Sequence, residues 1–147
     1  MAVHRRAAAL RHRTLALAVA LLASTGCGGG VAEKPDNAHV CAMYASGTND
    51  AEAVVQGTVV GVLGTRNGPS GEHEGFLLKL TQQCDLMLRI ETNVDITGPV
   101  PLRAGETVTV KGQFEDDPGG GVIHWTHRDP RGRHVNGYVL ADGKYYE

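Results

Sequence analysis

The sequence predicts an all-β fold: a small OB-like barrel, closed or partly open, of five to seven strands, preceded by a short N-terminal helix. Three observations predict it. Between Ala53 and Glu147, short apolar runs alternate with polar residues and are punctuated by turn formers. Gly57 and Gly61 interrupt the valine-rich first run, where a strand has to bend round a barrel corner. Near the end, Asp142-Gly143 separates two short apolar runs, which is a hairpin signal.

In chain order, residues 1–27 read as a signal peptide. Arg5, Arg6, Arg11 and Arg13 form a basic start, and Thr14 to Ala23 is an apolar run. That run has the length of a signal core and is too short for a bilayer span of roughly 20 residues. It ends in Ala23-Ser24-Thr25-Gly26-Cys27, which resembles a bacterial lipoprotein processing site and makes Cys27 the lipidation position, although Ser24 stands where leucine is commonest. Ordinary secretion with cleavage nearby is the alternative. Residues 28–50 follow as a Gly28-Gly29-Gly30 tether and a short helix from about Asn37 to Ser46. Asp36 caps that helix, and Val40, Met43 and Tyr44 are expected on its buried face. Export leaves Cys41 and Cys84 in an oxidising compartment, where one disulfide is the simplest pairing and two buried thiols are the alternative.

The β domain is expected over 51–147. Val54 to Leu63 is its first strand, and Thr65 to Gly71 a loop. Phe76, Leu78 and Leu80 mark the core face of the second strand, and Leu86, Leu88 and Ile90 that of the third. Gly98 to Gly105 is a connection. Val108, Val110, Gly112 and Phe114 alternate along the next strand, and Val122 to His127 reads as a further one. The runs around Gly137 to Leu140 and Lys144 to Tyr146 close the fold as a hairpin.

Charge narrows the partners. Four of the fourteen basic residues lie in the signal segment and none of the sixteen acidic ones, so the remainder carries a net charge of −6. Long-range repulsion from phosphate backbones then counts against nucleic acid as a partner. The expected partners are the membrane, through lipidated Cys27, and a small ligand or protein. The expected location is extracytoplasmic, membrane-anchored in the main reading and secreted or periplasmic in the alternative.

Residues 121–134 stand out. They hold His124, His127 and His134, the only tryptophan (Trp125), Arg128, Arg131, Arg133 and Asp129. With His73 they form a candidate functional cluster of His73, His124, Trp125, His127, Asp129 and His134. Three uses of it are open. Neutral imidazoles suit zinc or another divalent transition metal, with His73, His127 and His134 as ligands and Asp129 as ligand or support. A His/Asp pair could serve acid–base catalysis with an arginine binding an anion. Or Trp125 plugs one barrel end while the polar residues form a satisfied network that locks the long loop. His124 and His127 would face opposite ways on a continuous strand, unless the strand ends between them. Asn93 and Asp95 read as an Asx turn. The functional reading is a lipid-anchored binding or interaction module; the alternative is a small metal-dependent or histidine-based hydrolase.

His124-Trp125-Thr126-His127, Asp129-Pro130, Gly132, His134 and Gly137-Tyr138 resemble the C-terminal hallmark of an uncharacterised bacterial family, domain of unknown function 3465. The resemblance extends upstream to Gly57-Thr58-Val59-Val60, His73, Asn93, Asp95, Pro101, Gly105 and Gly112. It covers roughly residues 53–147. The chain departs from the pattern at 91–100, where a histidine is lacking, and at Tyr138, where tryptophan is usual. The resemblance implies an exported small β domain and no particular activity.

Overall fold

The computed structural model describes residues 32–80 and 82–147. The signal peptide, the lipidation position Cys27 and the glycine tether lie outside the described residues. The helix α1 spans Asn37–Ser46. The Asp36 carboxylate caps it by accepting from the His39 N–H, and Gly47 ends it with a left-handed φ of 65°. Val40 and Met43 are buried, whereas Tyr44, expected beside them, is exposed. Tyr44 stands about 40° round the helix from Val40 but about 100° from Met43, which puts it at the edge of the buried stripe. A Cys41–Cys84 disulfide ties α1 to the barrel across 43 residues of chain.

Seven strands follow: β1 Ala51–Gly68, β2 Gly71–Leu80, β3 Leu86–Asn93, β4 Thr107–Glu115, β5 Val122–His124, β6 Tyr138–Ala141 and β7 Lys144–Tyr146. A one-turn helix α2, Val94–Thr97, sits between β3 and β4. The first half of β1 pairs with β4 and the second half with β2. Register shifts at Val59/Gly61 and Val62/Gly64 mark where the strand bends from one partner to the other. β2 pairs with β3, β3 runs parallel to β5, and β5 returns to β4. Strands β1-β2-β3-β5-β4 thus close a ring of five, with β6 and β7 added outside it. This is the OB-like arrangement that the bent first strand and the meander predict.

The interior is built by the alternating positions. Phe76, Leu78, Leu80, Leu88, Ile90 and Phe114 are fully buried. Three boundaries differ from expectation. The loop expected over 65–71 is strand as far as Gly68, because Arg66 pairs with His73 and Asn67 with Glu72 across a two-residue turn. Cross-strand pairing there outweighs the local preference of a Gly/Asn/Pro segment. The strand expected to reach His127 stops at His124, since Trp125 turns to a φ of 54°. The helix α2 is too short to leave a periodic signal. At the C-terminal hairpin, Asp142 and Gly143 both take left-handed φ, of 48° and 72°, as a two-residue type I′ turn requires.

One feature of β4 positions the site. Its edge opposite β1 pairs with β6 at Thr109–Lys111 and with β5 at Gln113–Glu115. Gly112 lies in the gap between them, and the loop from Trp125 to Gly137 leaves and re-enters the sheet there.

Candidate functional site: a histidine and tryptophan cavity

The turn at Trp125 is the root of the site. A large aromatic in the left-handed region costs of order 1–2 kcal/mol, so surrounding contacts must impose it. They do so from both sides. A Cβ on Gly112 would collide with the His124 carbonyl oxygen, and one on Gly137 with the Trp125 carbonyl oxygen and the Thr126 Cα. The two glycines let the 124–126 backbone lie flat against the sheet. The Thr126 hydroxyl then donates to the Glu91 carbonyl at 3.1 Å, and the Gly137 N–H to the His127 carbonyl at 2.9 Å. Because the strand ends at His124, His124 and His127 are no longer on opposite faces, and both border the same cavity.

Asp129 organises the loop that follows. Its buried carboxylate accepts the backbone N–H of Arg131 at 2.8 Å, of Arg133, and of His134 at 3.2 Å, and the Arg133 guanidinium stands at 3.4 Å. The Asp129 N–H in turn donates to Asn136 Oδ1 at 2.9 Å. Burial works to raise the carboxyl's pKa, but the three backbone donors and the Arg133 charge outweigh it and hold it at about 2. The linkage has a definite sign. Asp129 supports the fold above the ordinary carboxyl range, and the support is lost as pH falls from about 4 to about 2. Urea midpoints of the native protein and of Asp129→Asn should therefore converge across that window. A gap that stays constant to pH 2 would mean that Asp129 does not stabilise the loop through its charge.

Three imidazoles share one hydrogen-bonding pattern. Nδ1 of His127 lies 2.7 Å from the Arg128 carbonyl, Nδ1 of His134 2.8 Å from that of Val135, and Nδ1 of His73 2.9 Å from that of Gly71. A carbonyl only accepts, so each Nδ1 carries a proton. His73 Nε2 and the Ser70 hydroxyl share a hydrogen bond of 3.2 Å. His134 Nε2 is buried without a hydrogen-bond partner, 3.9 Å from Asp129 Oδ2. Burial pushes His127 below its usual pKa; the Arg128 carbonyl opposes this, His134 adds to it, Asp129 opposes it and His73 adds again.

These rings stack into a wall. Trp125 lies over His134 with centroids 4.6 Å apart and planes within 17°, and His134 meets His127 edge to face at 4.9 Å. His124 tilts against Trp125 with centroids 4.9 Å apart. Trp125 stays 38% exposed, so it is a wall of the cavity and not a plug in the barrel end. The cavity has a volume of about 250 Å³ and is lined by His73, His124, Trp125, His127 and His134 together with Glu91. Asp129 does not line it; it supports His134 from behind. A larger cavity of about 560 Å³ lies beside α1, bordered by Lys34, Asp36 and Gln56, and none of the described histidines lines it.

Among the described residues, no three His, Cys, Asp or Glu side chains stand together so as to hold a metal ion. His73 shares the cavity with His127 and His134, but its Nε2 is engaged by Ser70. Arg128, a candidate anion binder, is paired with Glu147. Two contributors carry no signal in the sequence. Glu91 is buried with Oε1 on Arg66 at 2.7 Å and on Arg89 at 3.4 Å, while its Oε2 is buried without a partner. Ser70 sits in a turn whose carbonyl is held by the Asn93 amide at 2.8 Å. Asn93 Oδ1 also accepts from the Asp95 N–H, as an Asx turn does.

No curated protein matches the chain. The model of a family described as "Protein of unknown function (DUF3465)" matches residues 22–147, which include the whole barrel and every residue of the cavity. The chain belongs to that family.

Proposed function

We propose that the domain is an extracytoplasmic binding module, anchored through a lipidated Cys27, that takes a small ligand into the cavity between Trp125 and His73. The observation that carries this reading is His134 Nε2. A buried polar atom left without a hydrogen-bond partner costs about 1–3 kcal/mol. Here it stands beside a second costly feature, the left-handed Trp125 backbone, and both border a cavity large enough for a small molecule or hydrated ion. Strain and unmet polar groups gathered at one cavity are the physical signature of a site completed by its ligand. The disulfide and the acidic remainder of the chain agree with an exported protein.

Non-denaturing mass spectrometry of protein purified without a chelating tag tests the binding claim. The native protein is expected to carry added mass that is lost on denaturation. His134→Phe keeps the ring stack on Trp125 but removes Nε2, and should fly as the bare polypeptide with its disulfide intact. Equal added mass on both proteins would place the ligand elsewhere. For the anchor, Cys27→Ser should move the protein from the membrane to the soluble fraction, because two acyl chains retain a protein where none do.

A further inference from the structure

We propose that the ligand is a neutral saccharide ring, seated against Trp125 and hydrogen-bonded from the Glu91 side of the cavity; this rests on the reading of the cavity as a ligand site. Charge decides the first step. Apart from its imidazoles, the lining carries two formal charges, Glu91 and Arg133. Both are already matched. Glu91 Oε1 holds Arg66 at 2.7 Å and Arg89 at 3.4 Å, and the Arg133 guanidinium stands 3.4 Å from Asp129. Burial favours the uncharged form of His127. A charged ligand would leave water and meet no uncompensated countercharge, whereas a neutral one avoids that cost.

The lining has two characters. Trp125 supplies an apolar surface that stays 38% exposed, and its ring contacts with His124 and His134 hold the indole in place. Polar groups gather opposite: His73 on β2, Glu91 and Asn93 on β3, and Ser70 in the turn before β2. Glu91 Oε2 is buried with no hydrogen-bond partner among the described residues. A pyranose matches both characters. Its C–H bonds lie on the ring faces and its hydroxyls on the rim, so one molecule covers an aromatic and reaches polar groups. A hydroxyl both donates and accepts, so it serves a carboxylate oxygen, which only accepts, and an imidazole nitrogen with or without its proton. An ammonium would instead add a third cation to a carboxylate that Arg66 and Arg89 already share. The volume of about 250 Å³ is below the roughly 300–1,000 Å³ of sites for drug-sized ligands and suits a single ring. The fixed wall lowers the cost of ordering on binding.

D-Glucose, D-galactose and N-acetyl-D-glucosamine, titrated separately into the whole exported protein, test the proposal. At least one should shift the indole N–H resonance of Trp125, the only tryptophan of the chain, and saturate at about a millimolar or below. Trp125→Gly removes the indole and leaves a residue at ease with the left-handed backbone. Ligand-observed NMR should show that sugar bound at least roughly tenfold more weakly by the variant, with circular dichroism confirming that the fold persists. Ser70→Ala, a milder change at the exposed rim, should weaken binding about threefold. Binding unchanged in both variants would overturn the assignment. So would sugar-induced shifts confined to amides of α1 beside the larger cavity, or an indole shift that saturates with n-propylammonium chloride or sodium phosphate and with none of the sugars. All three sugars silent, with added mass still present in the native spectra, would overturn the saccharide and keep the cavity as a ligand site. Silence towards every probe, with no added mass, would overturn the binding reading as well.

Discussion

Gly137→Ala is expected to destabilise the domain by about 3 kcal/mol or more, the upper end of what overpacking costs. The added methyl would collide with the Trp125 carbonyl oxygen, the Lys111 carbonyl oxygen and the Thr126 Cα. All three are backbone atoms, so no rotamer change relieves the clash. Relief requires lifting the 124–126 segment off β4, which opens the cavity and the Gly137–His127 hydrogen bond together. Gly137 is not among the left-handed glycines, so the cost is steric alone. Gly143→Ala is the matched comparison. Its Cβ meets nothing, and only its φ of 72° is penalised, at about 1 kcal/mol. Urea unfolding of the two variants should show Gly137→Ala as much the weaker. Equal midpoints would mean that the sheet gap accommodates a side chain and that the Trp125 turn is not held by close backbone contact.

Removing the Cys41–Cys84 disulfide should cost roughly 4 kcal/mol on loop-closure arguments, given its separation of 43 residues. The consequence is local as well as global. The helix α1 has few other ties: the Asn37 amide reaches the Gln56 backbone, and Val40 and Met43 pack on the barrel. A double Cys41→Ser, Cys84→Ser variant should lose protection of α1 amides from hydrogen exchange before the strands lose theirs. Uniform loss across helix and barrel would show instead that α1 is integral to the barrel's cooperative unit.

Much of the fold is legible because its signals are local. Asp36 and Gly47 delimit α1 by side-chain and backbone chemistry that acts within one turn. The alternation of Phe76, Leu78 and Leu80 marks which face of β2 is buried, and Asp142-Gly143 demands one kind of turn. The elements that differ are governed from a distance. Arg66 to Gly68 has the composition of a loop but is strand, held by pairing with β2 and by the Arg66–Glu91 ion pair. Trp125 is a good strand former and yet ends β5, because Gly112 and Gly137 admit its turned backbone. The crowding of histidine, arginine and aspartate marks the 121–134 segment in the sequence. Its working geometry is not written there. The orientation of His127 and His134 depends on carbonyls presented by a loop folded around Asp129, and Glu91 reaches the cavity from a strand thirty residues and more upstream.

His127 and His134 are each fixed beside the cavity through a protonated Nδ1 on a backbone carbonyl. Nitrogen NMR of histidine-labelled protein at neutral pH, prepared free of metal, reads this directly. Free histidine favours the proton on Nε2, so the opposite tautomer has to be imposed by structure. Both rings are predicted to carry a proton on Nδ1. Rings without a proton on Nδ1, or averaging between tautomers, would contradict this, because the carbonyl hydrogen bonds would then hold neither ring in place.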